Sequence, residues 1–320
     1  MFPRAPRLIL ALIVLLTLPL ALSSCSIKRW AVRNVANSLT NGTDVYGTDE
    51  DPELVRDALP FGLKTMESLL AVVPEHEGLL LTLCKGFTQY SYAFVQAEGD
   101  LLVNGDYARA TGLHERALKL YLRARGYGLR GLEKRCRGIS SELQFDPVKA
   151  AARIEKRDLP MLYWTAASWG SAISLGKDRP ELLADLPAIR ALMERGLALD
   201  EGYEQGAIHE ALILLDALPE AMGGSEARAR GHFARAVELS KDTRASPYVT
   251  LATTVSVLRQ DRGEFERLLS RALEFDPDRD PAQRLVAIVL QRKARALLDR
   301  ADEFFIDETA PPDTTQIQEK

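Results

Sequence analysis

Few residues in this chain have the types and spacing needed for acid–base chemistry. It has four histidines, His76, His114, His209 and His232, and His209 is followed by an acid, Glu210. Adjacent residues on a helix point about 100° apart, so we expect this pair to have surface or core roles and not to form a catalytic dyad. The sequence contains no GxSxG elbow, no HExxH motif and no phosphate-binding glycine loop. We therefore predict no catalytic residue, no metal and no cofactor.

Cys25 has the sequence context of a cysteine that receives lipid. Arg4 and Arg7 provide a positively charged start, and residues 8–22 form an uncharged apolar run. This run is shorter than the roughly 20 residues of a membrane-spanning helix, but it suits a secretory signal. It ends in Leu22-Ser23-Ser24-Cys25, which resembles a bacterial lipobox. We predict a signal peptide over residues 1–24 and lipidation of Cys25. The alternative is an uncleaved anchor helix.

A lipidated Cys25 predicts a periplasmic protein anchored to a membrane. Serine at position 26 favours the outer membrane over the inner one. The two remaining cysteines, Cys84 and Cys136, would be able to pair in an oxidising periplasm, but two isolated buried thiols are the favoured interpretation. The net charge of -4, with no concentrated basic segment, argues against a nucleic-acid partner.

The rest of the chain shows the apolar period of helices and no sustained alternation of strands. Residues 25–50 are expected to form the lipidated N-terminal segment and linker, with Ile27, Trp30, Val35 and Leu39 roughly on one helix face. A helical domain is expected over 51–306, followed by a disordered tail over 307–320. The predicted helices are 54–73, 79–97 (ending near Gly99), 107–125, a short one from Pro147, 161–175, 187–199, 204–217, 225–240, 247–261, 264–274 and 281–304. Gly126 to Gly131 is interpreted as a break.

Four segments repeat one local order of residues: a large residue, any residue, Arg, a small residue and an aliphatic one. The small residues stand at positions 117, 196, 236 and 272. The two later steps are similar in length and the first is about twice as long, which indicates a repeated unit with inserts. The pattern resembles the second helix of a tetratricopeptide repeat, in which a small residue allows two helices to approach closely. We therefore predict an all-α fold, a tetratricopeptide-like helical-hairpin solenoid (α-α superhelix), with generic helix packing as the alternative.

Several longer stretches resemble TatT, the T-component family of TRAP (tripartite ATP-independent periplasmic) transporters, whose members are tetratricopeptide-type lipoproteins. The stretches are 89–95 (QYSYAFV), 120–128 (LYLRARGYG), 163–170 (YWTAASWG), 206–210 (GAIHE) and 222–225 (MGGS). The resemblance implies a helical repeat fold, a periplasmic location and association with the solute-binding component of such a transporter, which carries organic acids or other small anionic or hydrophobic molecules. Homo-oligomerisation is also consistent with it. The family has no shared catalytic motif.

Two groups of residues are candidates for binding a ligand or a partner. Tyr121, Arg123, Arg125 and Tyr127 combine guanidinium groups with rings, a composition suited to carboxylates. Tyr163, Trp164 and Trp169 could line an aromatic cavity for an apolar ligand. For each group the alternative is structural: a helix end with solvated arginines for the first, and core packing for the second.

Three classes of function remain open from the sequence. The first is an accessory that binds the solute-binding component, with a small apolar or organic-acid ligand as a further expectation. The second is a scaffold for envelope assembly of the tetratricopeptide-repeat lipoprotein type. The third, an enzyme with a helical active site, is disfavoured because no nucleophile, base or metal set is visible.

Overall fold

The structure is a computed structural model that describes residues 27–42 and 44–306. Within these ranges it is helical and contains no strand, which confirms the predicted all-α class. The predicted lipidation at Cys25 and the predicted disordered tail lie outside the described residues. Among the described residues, no helix combines the length and hydropathy required to cross a membrane.

The first half of the domain contains helices of very different lengths. They are α1 (27–40), α2 (Pro52–Val72), α3 (Glu77–Tyr90), α4 (Ala97–Leu102), α5 (Tyr107–Glu133), α6 (Ile139–Phe145), α7 (Pro147–Ala152) and α8 (Leu159–Leu175). The second half continues with α9 (Pro180–Leu183), α10 (Leu186–Leu199), α11 (Ala207–Asp216), α12 (Glu226–Leu239), α13 (Ser246–Leu251), α14 (Arg262–Leu273) and α15 (Arg284–Asp299).

Side-chain caps determine where several helices begin. The carboxylate of Asp51 accepts hydrogen bonds from the amides of Glu53 and Leu54, and Pro52 occupies the first turn of α2. Asp106 and Asp146 cap α5 and α7 in the same way. Such caps satisfy amides that have no partner inside the helix. The helix starts predicted at these three aspartates are confirmed.

The predicted break at Gly126 to Gly131 is wrong, because α5 continues through these glycines to Glu133. A Cβ atom at Gly128 would lie 2.2 Å from Thr165 Oγ1, and one at Gly131 would lie 2.3 Å from the Met161 methyl carbon. Both glycines therefore allow α8 to pack closely against α5. The sequence shows these glycines, but it does not show that α8 packs against them and leaves no room for a side chain.

The helix predicted to end near Gly99 also continues. A π-helical segment, Ser91–Gln96, joins α3 to α4, which ends at Leu102. A second π-helical segment, Ala252–Ser256, extends α13. Such segments insert an extra residue per turn and rotate the side chains that follow.

The four repeated segments share a structural role. Their small residues are all buried, at Ala117, Gly196, Ala236 and Ala272. A Cβ atom at Gly196 would lie 3.1 Å from Ile208 Cδ1, so α10 and α11 are in close contact there. The small residues therefore mark helix interfaces, as predicted.

The arginine of each repeated segment reaches back to an earlier element. Arg195 donates two hydrogen bonds, of 3.0 and 2.7 Å, to the carbonyl oxygen of Ile154. The other three contacts pair Arg116 with the Tyr90 hydroxyl, Arg235 with Glu201 and Arg271 with Asp242. Each arginine therefore connects its helix to a helix or turn that comes earlier in the chain.

Helices that are neighbours in the chain pack against one another, as α11 and α12 do, but the most extensive contact joins α5 and α8, which α6 and α7 separate in the chain. The largest apolar core draws residues from α1 through α11, and a second core joins α13, α14 and α15 around Phe265. Phe265 lies in α14, one of the three helices of this second core. It is fully buried and contacts Phe304 and Phe305, so these rings occupy the space.

The last helix returns to the first ones, a contact that the sequence did not predict. Helix α15 packs against α2, and the Leu285 amide donates a 3.1 Å hydrogen bond to the Gly47 carbonyl oxygen. Lys293 of α15 lies 4.8 Å from the centre of the Tyr92 ring and 3.7 Å from Asp100. The two ends of the helical array are thus joined largely by polar contacts.

Candidate functional site

Arg125, Trp169 and Asp185 form a mixed aromatic and charged group between α5, α8 and the start of α10. The Arg125 guanidinium lies 4.9 Å from the centre of the Trp169 ring, a cation–π contact. The indole N–H of Trp169 donates a 3.0 Å hydrogen bond to Asp185 Oδ2, and Arg125 Nη1 lies 3.5 Å from the same oxygen. Asp185 thus holds the indole directly and the guanidinium loosely.

The guanidinium of Arg125 retains unused hydrogen-bonding capacity. Its side chain is 26% exposed, and its buried Nε has no hydrogen-bond partner among the described residues. Burial lowers the pKa of this group, and Asp185 opposes that effect. An arginine has five N–H donors, and the 3.5 Å contact with Asp185 is the one side-chain hydrogen bond of Arg125 within the described residues.

Arg123 and Tyr127, the neighbours of Arg125 in sequence, instead contact Glu67 on α2. The Tyr127 hydroxyl donates a 2.5 Å hydrogen bond to Glu67 Oε1, and Arg123 pairs with the same carboxylate. Arg123 also lies 5.0 Å from the centre of the Phe87 ring. Hydrogen bonds from Lys64, Tyr127 and Arg123 outweigh burial and keep the pKa of Glu67 below its ordinary value. These side chains already have partners, so they join α2 to α5.

Tyr163 and Trp164 form an aromatic cluster with Tyr203, which lies in the turn before α11. The centre of the Tyr163 ring is 5.1 Å from the centre of the Trp164 ring and 5.3 Å from that of the Tyr203 ring. Lys85 of α3 lies 5.9 Å from the centre of the Trp164 ring and forms a 3.1 Å ion pair with Asp44. Burial raises the pKa of both tyrosines, so their hydroxyls stay protonated. The cluster presents apolar ring faces beside one cation.

Tyr121 lies in the core and has no exposed surface. Its hydroxyl donates a 2.7 Å hydrogen bond to Gln96 Oε1, across the π-helical segment. Burial raises its pKa well above the ordinary value. Tyr121 therefore packs α5 against this segment in the structure.

The seven predicted residues therefore occupy separate places. The structure brings Arg125 together with Trp169, Arg123 with Tyr127, and Tyr163 with Trp164, while Tyr121 lies apart. In the described part of the chain, one small cavity lies beneath the start of α15 and one shallow depression lies along this helix, and neither is lined by any of the seven residues. Neither of them joins the two aromatic groups on α8.

The sequence analysis missed the residues that organise these groups. Asp185, Glu67, Lys85 and Tyr203 each come from a different helix or turn than the residue they contact. No local sequence pattern around any of the four indicates such a contact. Their role follows only from the packing of helices that are far apart in the chain.

His209 contacts another histidine and does not form a dyad with Glu210. Its Nδ1 lies 2.8 Å from Nδ1 of His232, and its Nε2 lies 3.2 Å from Glu201. Glu210 instead accepts a 2.7 Å hydrogen bond from the Ser246 hydroxyl. Burial lowers the pKa of both imidazoles. Within the described ranges, no group of three or more His, Cys, Asp or Glu side chains is arranged to hold a metal ion.

Cys84 and Cys136 are both buried and free. The favoured interpretation of two isolated thiols is confirmed. Burial raises the pKa of Cys84 to about 12, so the thiol is unreactive at neutral pH.

Comparison with known proteins agrees with the resemblance found in the sequence. The family profile described as TRAP transporter T-component matches residues 48–305. A protein of Treponema pallidum (strain Nichols), itself described as uncharacterized, is 28% identical over 304 residues, which cover 89% of this chain and 94% of that protein. The profile spans α2 to α15 and so contains every group described above. The chain belongs to the TRAP transporter T-component family.

Proposed function

We propose that this protein is a lipid-anchored periplasmic accessory that binds the solute-binding component of a TRAP transporter and acts without catalysis. The match of residues 48–305 to the T-component family carries this proposal. The predicted signal peptide over residues 1–24, followed directly by Cys25, supports the anchor and the periplasmic side of the membrane, with the outer membrane favoured. The helical array supports binding, because stacked helix pairs offer long surfaces to a partner.

Arg125 is the residue that we propose receives a carboxylate, either of an organic-acid ligand or of a partner side chain. It is partly accessible, and its nearest carboxylate, that of Asp185, is 3.5 Å from Nη1. The Trp169 ring holds the guanidinium plane in place. A carboxylate that accepts two parallel N–H hydrogen bonds from this group would be held by charge attraction and in a defined orientation.

The proposal is tested by isolating the intact protein from membranes with mild detergent and measuring whether the transporter's solute-binding component co-purifies. The Arg125→Met variant should retain much less of that component. Arg137→Met, which changes an exposed arginine in the loop after α5, is the matched control and should retain it. Acylation is measured on the same samples as incorporation of labelled palmitate, which Cys25→Ser should abolish.

An envelope-assembly scaffold would give a different result. Solute uptake would then be unchanged in cells that lack the protein, while the outer membrane would become permeable. Loss of solute uptake with an intact outer membrane is the outcome expected of a transporter accessory. Capture of the solute-binding component equally by wild type and Arg125→Met would exclude a partner carboxylate at Arg125 but not the partner itself.

A further inference from the structure

Helix α1 is attached to the rest of the protein through Val32, which packs against the larger core, and through its second half. Ala36 is fully buried, and Asn37 Oδ1 lies 2.9 Å from His76 Nε2 at the start of α3. Gly78 leaves room for this contact, since a Cβ atom there would lie 2.6 Å from Thr40 Oγ1. Residues 27–31, in contrast, are all exposed. The first turns of α1 therefore project from the body of the protein.

The projecting part carries large apolar side chains in the open. Ile27 is 64% exposed and Trp30 is 66% exposed, while Trp164 is partly covered and Trp169 is buried. Val35, two turns after Ile27, is also exposed. Exposed indole at the end of a helix is costly in water but suits the boundary between lipid headgroups and acyl chains.

The same turns are positively charged on a protein that is negatively charged overall. Lys28, Arg29 and Arg33 lie among these apolar residues, and residues 26–40 contain no acid. The whole chain has a net charge of -4. None of the three cations forms an ion pair within the described part of the chain. Basic residues near a bilayer contribute about 1 kcal/mol each when its lipids are anionic.

We propose that the first turns of α1 lie in the headgroup layer of an anionic phospholipid bilayer, with Ile27 and Trp30 at the acyl boundary and Lys28, Arg29 and Arg33 on lipid phosphates. This inference rests on the proposed lipid anchor. Cys25 is two residues from Ile27, and two residues span at most about 7 Å, so an acylated Cys25 brings α1 to the bilayer surface. The contact of α1 with α3 then orients the helical domain relative to the membrane.

Thiol accessibility in the intact protein tests this placement. Trp30→Cys is compared with Phe61→Cys, which replaces a 78% exposed ring on α2. The native Cys84 and Cys136 are buried, and Cys25 is blocked when acylated. With a membrane-impermeant maleimide, position 30 should react several-fold more slowly than position 61 in vesicles that contain phosphatidylglycerol, and at a similar rate after detergent is added.

The outcomes separate this inference from the proposed anchor. Acylated, vesicle-bound protein that reacts equally at positions 30 and 61 overturns the membrane placement and leaves the anchor intact. Protection of position 30 that persists in detergent points to a protein partner and also overturns it. Protein without acyl chains that remains in the soluble fraction and reacts at both positions overturns both proposals.

The charges are tested with the same label. Replacing Lys28, Arg29 and Arg33 by Gln should remove much of the protection in phosphatidylglycerol vesicles, while acylation stays unchanged. In vesicles of phosphatidylcholine alone, the Trp30→Cys protein should react alike at position 30 with and without these three changes. Equal protection of both proteins in the anionic vesicles would exclude the role of phosphate contacts.

Discussion

At the scale of single residues, Asp185 connects side chains from two helices. Its Oδ2 accepts the Trp169 indole N–H and faces Arg125. Removing the charge would leave a buried donor and a partly buried cation with weaker partners. Losing such a partner costs about 1–3 kcal/mol.

We therefore expect Asp185→Asn to lower the free energy of unfolding by about 1–3 kcal/mol, measured by urea unfolding. Asp178→Asn changes an exposed carboxylate just before α9 and serves as the control. Its free energy of unfolding should stay within about 0.5 kcal/mol of wild type. Equal stability of the two variants would mean that Asp185 does not hold this group together.

The His209–His232 pair makes stability depend on pH. Glu201, Arg235, Asp216, Arg228 and Arg190 surround the two rings. Burial lowers the pKa of both histidines from the ordinary value of 6.5 despite the two carboxylates. Arg235 holds the pKa of Glu201 down to about 2, so Glu201 stays charged throughout the range in which histidine titrates.

The direction of this pH dependence follows from proton counts. Below pH 6.5 the unfolded chain protonates both rings, whereas the folded protein resists doing so until the pH is lower. Unfolding then takes up protons, so the free energy of unfolding falls as the pH drops below 6.5. The double variant His209→Asn and His232→Asn should lose less stability than wild type between about pH 8 and about pH 5.5. Parallel losses measured by urea unfolding would contradict this assignment.

At the scale of elements, two glycines of α5 allow the effect of close packing on stability to be measured apart from the effect of helix propensity. Gly128 faces Thr165 and Cys84 at distances too short for a side chain, while nothing lies within 4 Å of a Cβ atom at Gly126. Both residues lie inside the same helix. They therefore form a matched pair for mutation.

We expect Gly128→Ala to destabilise the protein by about 1–3 kcal/mol, because α8 must move away from α5. Gly126→Ala should stabilise it by about 0.5–1 kcal/mol, since alanine loses less backbone entropy in a helix. Thermal unfolding followed by circular dichroism measures both changes. A loss of stability in both variants would show that α5 is not a continuous helix at these positions.

At the scale of the whole molecule, the described residues form two larger apolar cores and a small third one around Ile213 and Val255, and their different sizes suggest regions of unequal stability. The larger core involves α5 and α8, and the second one surrounds Phe265 in α14. The polar contacts of α15 with the first helices add little when exposed, as for the ion pair of Arg292 with Glu53. The second core is therefore expected to open first.

Phe265→Ala should destabilise the protein by about 3–5 kcal/mol, as loss of a fully buried phenyl ring usually does. Hydrogen exchange followed by mass spectrometry should show faster exchange in α13, α14 and α15, with α5 and α8 unchanged. Phe145→Ala removes an 86% exposed ring and should leave exchange unchanged everywhere. Faster exchange throughout the Phe265→Ala variant would instead indicate one cooperative unit.

The sequence by itself determined the helical class, most helix positions, the capped helix starts and the family. These depend on local features: the apolar period of a helix, aspartates before a first turn, and residue order within short stretches. The small residues of the four repeated segments also followed from the sequence, because a helix interface limits side-chain size at one position.

Only the tertiary structure decided how distant elements meet. In the structure Tyr121 is buried in the core, Arg123 pairs with Glu67, and Arg125 pairs with Asp185. Helix α5 also continues through the glycines that were predicted to break it. The structure also brings α15 back to α2. Each of these features joins side chains far apart in the chain, and their approach depends on the angles at which all the intervening helices stack. A pattern of single residues does not encode those angles separately, so they emerge only when the whole array is packed.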